Sequence, residues 1–206
     1  MNDDDLRLAE LLCSRLAHDL ISPVGAIGNG LEILEDSPEP DMQKEAAGLI
    51  RLSAEEASAR LQILRLAFGA LGGADQVALG DAHNVLMGFV KERRIKLDWQ
   101  LDDEPAPARL VKFLATLSLI TAEALPRGGD LIISQIEGGG FELSATGRRV
   151  HMPDDVKAAL IAGSKGGTEG MTPHNVPAFY ALRLADHLGL TLTLSIDQNS
   201  VLLKAS

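Results

Sequence analysis

From Leu6 to Glu35 the chain has no strong break except Pro23, and the apolar residues Leu16, Leu20, Val24, Ile27, Leu31 and Leu34 recur at steps of four and three. That spacing lines them up along one narrow stripe, so the segment reads as a single long amphipathic helix. Asp36-Ser37-Pro38-Glu39-Pro40-Asp41 then supplies turn formers, a helix-stopping proline and, in Asp41, a candidate N-cap. From Met42 to about Leu71 the pattern returns with Met42, Ala46, Leu49, Ala57, Leu61, Leu64, Phe68 and Leu71. Residues 1–72 are therefore expected to form a helical hairpin. Each helix would be roughly 45 Å long at about 1.5 Å per residue, and two such helices cannot shield both seams from water. A symmetric partner can, so the expectation is a homodimer whose hairpins make a four-helix bundle.

Composition narrows the function. The 206 residues carry 19 Lys plus Arg against 29 Asp plus Glu, a formal charge of −10, which argues against affinity for nucleic acid or anionic lipid. Aromatics are only 3%, so the core must be built from Leu, Ile, Val and Ala. The single cysteine, Cys13, excludes an intrachain disulfide and a cysteine-based zinc cluster, and is expected to be a small buried apolar residue. No run of 18 uncharged apolar residues occurs, and Asp3, Asp4 and Asp5 stand where a signal peptide would be basic. A soluble, cytoplasmic protein without a membrane partner is expected.

Gly69 to Ala74 reads as a linker, after which long helices give way to short mixed segments, placing a second domain at residues 75–206. Asp81 can cap a short helix reaching about Glu92. Ile95–Leu101 alternates like a strand, and a helix follows over Ala108–Leu125. Strands are expected at Asp130–Ile136 and Phe141–Ala145, joined by Gly138-Gly139-Gly140. A helix over Pro153–Ile161 capped by Asp154-Asp155, another over Pro177–Leu188, and a hairpin of Leu190–Ile196 with Val201–Lys204 complete the chain. With the hairpin in front, this is an α+β protein whose second part is a two-layer α/β sandwich.

The first helix holds an unusual polar face. At about 100° per residue, His18 falls roughly 170° from the apolar seam. Ser22, Gly25 and Asn29 project on the same side, flanked by Arg15, so another protein could approach the imidazole closely. Pro23 leaves the Asp19 carbonyl without its helical donor. Gly25, Gly28 and Gly30 each forgo about 1 kcal/mol of helix propensity relative to alanine. An exposed imidazole offers a ring-nitrogen lone pair for attack on phosphorus, and Asp19 could orient the other nitrogen if the helix bends locally. The other histidines, His83, His151, His174 and His187, lack metal-ligand spacing and read as ordinary surface or core residues.

The stretch His18-Asp19-Leu20-Ile21-Ser22-Pro23-Val24 resembles the H-box of dimerising histidine kinases, with Ile21 where those kinases usually carry arginine. Leu16 to Leu34, including Val24-Gly25-Ala26-Ile27-Gly28-Asn29-Gly30, is closer still to the ChpT-like histidine phosphotransferases of alphaproteobacteria. The resemblance spans the whole chain and is most specific in the first helix. It implies that His18 accepts a phosphoryl group from a receiver-domain aspartate and passes it to a second receiver, with Asp19 as its acidic companion. Ser22 takes the polar position that influences dephosphorylation in kinases. Arg15, Ser22, Gly25 and Asn29 would surround the docked receiver. The expected partners are the receiver domain of a hybrid histidine kinase and response regulators. The chain itself would bind no cofactor and no metal, Mg²⁺ being brought by the receiver.

The second domain has the segment order of a kinase ATP-binding domain of the Bergerat type but departs from its motifs. Glu123 stands where kinases place a Mg²⁺-holding asparagine, and Ala145 where an aspartate reads adenine. Asn175-Val176-Pro177-Ala178-Phe179 lacks the glycine pair of the final box. Gly163-Ser164-Lys165-Gly166-Gly167-Thr168 has the wrong order for a Walker A loop and reads as a lid remnant. Three readings follow: a phosphorelay phosphotransferase, a divergent ATP-dependent histidine kinase, and a non-catalytic scaffold or anti-sigma-like regulator.

Overall fold

The computed structural model describes residues 3–70, 75–163 and 170–206. The linker positions 71–74 and most of the glycine-rich segment, 164–169, lie outside the described residues. Two long helices lead the chain, α1 (Asp3–Asp36) and α2 (Pro40–Phe68), packed antiparallel as the stepping of their apolar residues requires. Between them the Ser37 amide donates to the Ile33 carbonyl at 3.0 Å, and the Gln43 side-chain amide donates to the Ser37 carbonyl at 2.9 Å. Asp41 is not the N-cap. Glu39 precedes α2 in an extended conformation and Pro40 takes the first helical position, where its missing amide proton leaves nothing unpaired. Asp41 instead places its charge in the first turn, beside the positive end of the helix dipole.

The two helices pack tightly at Gly30. A Cβ there would stand 2.6 Å from Ile50 Cγ1 and 3.3 Å from the Ala46 carbonyl oxygen, so only glycine lets the helices approach this far. Gly25 and Gly28 differ, since a Cβ at either meets nothing within 4 Å. Of the three glycines of this helix, Gly30 is the one that the packing of α1 on α2 requires.

The second part contains β1 (Gln76–Ala78), α3 (Leu79–Lys91), β2 (Ile95–Gln100), β3 (Pro105–Pro107) and α4 (Ala108–Glu123). β4 (Gly129–Gln135), β5 (Phe141–Thr146), α5 (Asp154–Ala162), α6 (Val176–Leu188), β6 (Leu192–Ile196) and β7 (Ser200–Ala205) follow. Five strands form one sheet in the order β2-β4-β5-β7-β6, with β2 parallel to β4 and every other neighbour antiparallel. β4 and β5 are joined through Gly138, Gly139 and Gly140, all at positive φ, and a Cβ on Gly140 would strike the Ala205 carbonyl oxygen at 2.4 Å. The small antiparallel pair β1–β3 was not expected; each strand is three residues long, and β3 is Pro-Ala-Pro.

The register explains the two layers. Leu131 lies opposite Ala145 and Ala145 opposite Val201, while Ile133, Leu143 and Leu203 form the next row. All six are fully buried under the helices, while Lys96, Asp98, Asp130 and Lys204 face solvent on the other side. α4 is the central helix. It touches α2 on one side and α6, α3 and β5 on others, and Phe113, Leu114 and Leu117 are buried to within 1%. The Thr116, Ser118 and Thr121 hydroxyls satisfy themselves on carbonyls four residues back, so this buried helix carries no unpaired hydroxyl. Leu8 of α1 and Ile63, Leu64 and Ala67 of α2 join the same core as the sheet and α4, so one apolar core runs from the hairpin into the sandwich.

Three further expectations are corrected. α3 starts at Leu79 after Ala78, so Asp81 lies in its first turn and does not cap it. α5 follows Pro153 with no side-chain cap; Asp155 instead accepts the Val156 amide at 2.9 Å from inside the first turn. Cys13 is exposed, because at about 100° per residue it falls on the same stripe as Leu6, Val24 and Leu31, which this chain alone does not cover. No described helix is long and apolar enough to cross a membrane.

Candidate functional site

His18 stands on α1 with 82% of its side chain exposed, and Ser22, Gly25 and Asn29 are exposed beside it on the face the helical wheel predicts. The imidazole Nδ1 lies 3.2 Å from Asp19 Oδ1. Sequence neighbours on a regular helix do not face each other, but here the carboxylate is pulled back along the helix by Arg15, whose Nε donates to Asp19 Oδ2 at 2.7 Å. Asp19 therefore holds the imidazole with one oxygen and the guanidinium with the other. Among the described residues His18 Nε2 has no hydrogen-bond partner and opens to solvent.

Arg15 is where the structure departs most from expectation. It does not flank the exposed face. It is 5% exposed, covered by the sandwich, and its Nη1 donates to the His174 carbonyl at 3.0 Å while its Nη2 pairs with Glu123 at the end of α4. The Arg15 charge is thus neutralised inside the protein by Asp19 and Glu123. Burial pushes the Glu123 carboxyl above the usual carboxylate range, against the downward pull of Arg15 and Arg93. Arg93 itself stacks over the Phe89 ring at 4.6 Å. On the α2 side, Arg60 Nη1 donates to the Asp19 carbonyl at 3.2 Å and its other nitrogens hold Glu56. Charge is balanced here, with Arg15, Arg60 and Arg93 against Asp19, Glu56 and Glu123.

Beside His18 a cavity of about 350 Å³ opens between α1 and the sandwich, bordered by Asp19, Glu123, His151, Met152 and His174 among others. His174, read from sequence as an ordinary histidine, lies at this cavity with its Nδ1 3.0 Å from Asp155 Oδ2. The residues at nucleotide-motif positions have other employments. Glu123 is tied to Arg15, and Ala145 is fully buried in the sheet core. The Asn175 side chain is 4% exposed and bonds the Thr172 amide and the Gly170 carbonyl, folding the turn before α6. Among the described residues no three His, Cys, Asp or Glu side chains gather as a metal site.

Residues 79–200 match the family described as the histidine phosphotransferase C-terminal domain. The protein phosphotransferase ChpT of Brucella abortus (strain 2308) is 37% identical over 205 residues, covering 97% of this chain and 95% of the relative. The chain belongs to the histidine phosphotransferase family. A solved structure described as a bacterial phosphotransferase superposes on it with a TM-score of 0.86 at 33% identity, covering 100% of this chain and 98% of that one. As a histidine phosphotransferase of the ChpT type, the protein is a phosphotransferase of phosphorelay signalling with the α+β architecture described above.

Within that family setting, Arg15, Glu123, Arg60 and the His174–Asp155 pair are contributions that sequence reasoning assigned elsewhere or missed. The i,i+4 spacing of Arg15 and Asp19 was a legible signal for their ion pair. Nothing in the linear sequence joins Arg15 to Glu123, 108 residues away.

Proposed function

We propose that His18 is the phosphoacceptor, taking a phosphoryl group from the aspartate of one receiver domain and delivering it to that of another. The observation that carries this is the imidazole itself: exposed, held at Nδ1 by Asp19 Oδ1 at 3.2 Å, with Nε2 turned outward. Asp19 favours the tautomer with the proton on Nδ1, which leaves the Nε2 lone pair for in-line attack. The N–P bond forms as the P–O bond to the receiver aspartate breaks, and that aspartate departs as a carboxylate. The ring gains positive charge, which the Asp19 carboxylate offsets from the other side. The reverse sequence hands the group to the second receiver.

The receivers dock on the face formed by His18, Ser22, Gly25 and Asn29, where the bare Gly25 lets a partner helix come close. The receiver brings the Mg²⁺ that offsets phosphoryl charge; on this chain, the residue at the kinase metal position, Glu123, is engaged by Arg15. Catalysis is then mostly a matter of placement, because docking makes the attack effectively intramolecular. One receiver belongs to a hybrid histidine kinase and the other to a response regulator, which sets the reaction in the cytoplasm. Residues 1–72 act as the dimerisation and phosphotransfer unit, and residues 75–206 as a degenerate ATPase-like domain that braces it. The exposed Leu6, Val24 and Leu31 of α1 support a homodimer, since they form one uncovered stripe of large apolar side chains.

The kinase reading is disfavoured by the buried Ala145 and by Glu123 and Asn175, whose side chains are committed within the protein. Incubation with a receiver carrying labelled aspartyl phosphate tests the proposal. Wild type should acquire acid-labile label and His18→Ala none. Equal labelling of both would remove His18 from the reaction, and no labelling of either would favour the scaffold.

A further inference from the structure

Arginine and carboxylate groups ordinarily pair through two parallel N–H···O bonds, which occupy both carboxylate oxygens. Arg15 does not do this to Asp19. Only its Nε reaches Asp19, at Oδ2, because Nη2 is taken by Glu123 and Nη1 by the His174 carbonyl at 3.0 Å. Asp19 Oδ1 is thereby left for His18 Nδ1. The two competing acceptors come from the other layer of the protein, Glu123 from the end of α4 and His174 from the turn before α6. Arg15 is 5% exposed, so water has little access to its guanidinium.

We propose that Glu123 is a positioning residue for phosphotransfer: by holding Arg15 away from a two-pronged grip on Asp19, it keeps the Asp19 oxygen that fixes the reactive tautomer of His18. The position that a kinase uses for its metal serves here to set the nucleophile from the opposite side of the interface. This rests on the reading of His18 as the acceptor. Without an acceptor at residue 123, the Arg15 guanidinium turns onto both Asp19 oxygens and the imidazole loses its partner. The ring then relaxes toward the tautomer with the proton on Nε2, where the lone pair needed for attack is occupied. Glu123 borders the cavity beside His18 but is not among His18, Ser22, Gly25 and Asn29 of the proposed docking face, so the effect is expected in kcat and not in KM.

The experiment compares wild type, Glu123→Ala, Glu123→Met and Glu123→Gln in the full-length protein. Phosphotransfer from a labelled receiver is measured as kcat and KM, and the His18 ring is followed by nitrogen NMR at about pH 8, where a free imidazole is neutral. Alanine and methionine should each shift His18 toward the Nε2–H tautomer and lower kcat about tenfold, the lower range for loss of a hydrogen bond to a charged group, with KM unchanged. Methionine fills the volume of the glutamate without an acceptor and carries the test if the alanine variant does not fold. Glutamine, whose amide oxygen can still accept from Nη2, should restore most of both readouts. A fall in kcat with His18 still in the Nδ1–H tautomer, or wild-type values of both in Ala and Met variants, overturns the role of Glu123 alone. Failure of wild type to take label overturns the acceptor reading and this one with it.

Discussion

Arg60 Nη1 donates to the backbone carbonyl of Asp19 at 3.2 Å, the oxygen that Pro23, four residues on, has no amide proton to serve. Pro23 is buried between the helices, so solvent is poorly placed to replace the missing donor. A cation from α2 completes the hydrogen bonding of α1 one residue from His18. The proline and the arginine are thus two halves of one local solution, and they should be coupled energetically.

Arg60→Ala is expected to lower stability by about 1–3 kcal/mol, the cost of an unpaired buried acceptor. In a Pro23→Ala background the alanine amide can serve the Asp19 carbonyl within the helix, so the same substitution should cost less there. Urea unfolding of the four proteins of this cycle measures the coupling. An equal cost of Arg60→Ala in both backgrounds would show that its pairing with Glu56, and not the carbonyl, is what matters.

The glycines of α1 should separate cleanly by function. Gly25→Trp and Asn29→Trp put a large ring on the face proposed for docking and are expected to abolish transfer from a receiver while leaving oligomeric state and unfolding midpoint near wild type. Gly30→Ala forces a Cβ to within 2.6 Å of Ile50 Cγ1 and should destabilise by about 1–3 kcal/mol through overpacking. Transfer assays together with urea unfolding distinguish these effects. Normal transfer by both tryptophan variants would move the docking surface off this face.

The legible parts of this protein were those set by local pattern. The steps of three and four along α1 and α2 marked the hairpin, and alternation marked the strands to within two residues at most ends. The exposure of His18 is legible too, because its polar face breaks the stripe rule in company with Ser22, Gly25 and Asn29. What stayed hidden depended on distant chain. A helical wheel places Arg15 beside the exposed face, and only the arrival of α4 and α6 buries it against Glu123 and His174. The β1–β3 pair escaped because its strands are too short to show a period and β3 carries prolines. The parallel pairing of β2 with β4 is likewise a property of the assembled layer, since a helix and another strand intervene in sequence.

The Asp155–His174 pair yields a pH dependence with a definite sign. Burial raises the Asp155 carboxyl, but the hydrogen bond from His174 and its charge outweigh this and hold the group below its ordinary value. A carboxyl lowered in the folded state adds stability above its unfolded-state value of about 3.9, and loses it as pH falls through the lower folded value. The side chains are 41% and 54% exposed, so solvent screens the pair and Asp155→Asn should cost only a few tenths of a kcal/mol, roughly what exposed ion pairs contribute. The difference in urea midpoint between wild type and Asp155→Asn should therefore be small at about pH 5 and shrink as pH is lowered through about 3. A gap that widens toward acid would reverse the assigned direction.

The uncovered stripe of α1 makes the most direct demand on assembly. Leu6 is 46% exposed, Val24 56% and Leu31 49%, all on one side of a helix whose other sides are accounted for by α2 and by the face of His18. Covering the half of each side chain that remains exposed is worth about 1 kcal/mol, and a two-fold axis doubles the number, which favours association of two chains through this stripe. The same symmetry makes the seam sensitive to charge, because a glutamate placed on it faces apolar surface and the equivalent glutamate of the second copy. Val24→Glu combined with Leu31→Glu should therefore convert the protein to a monomer, read as a halved mass in analytical ultracentrifugation, while helical circular dichroism persists because α1 and α2 still pack through Gly30, Ala46 and Ile50. Neither residue lies on the docking face, so the monomer should retain receiver labelling at His18. A variant that keeps the mass of a dimer would place the dimer seam elsewhere, and a wild type that sediments as a monomer would require another cover for this stripe.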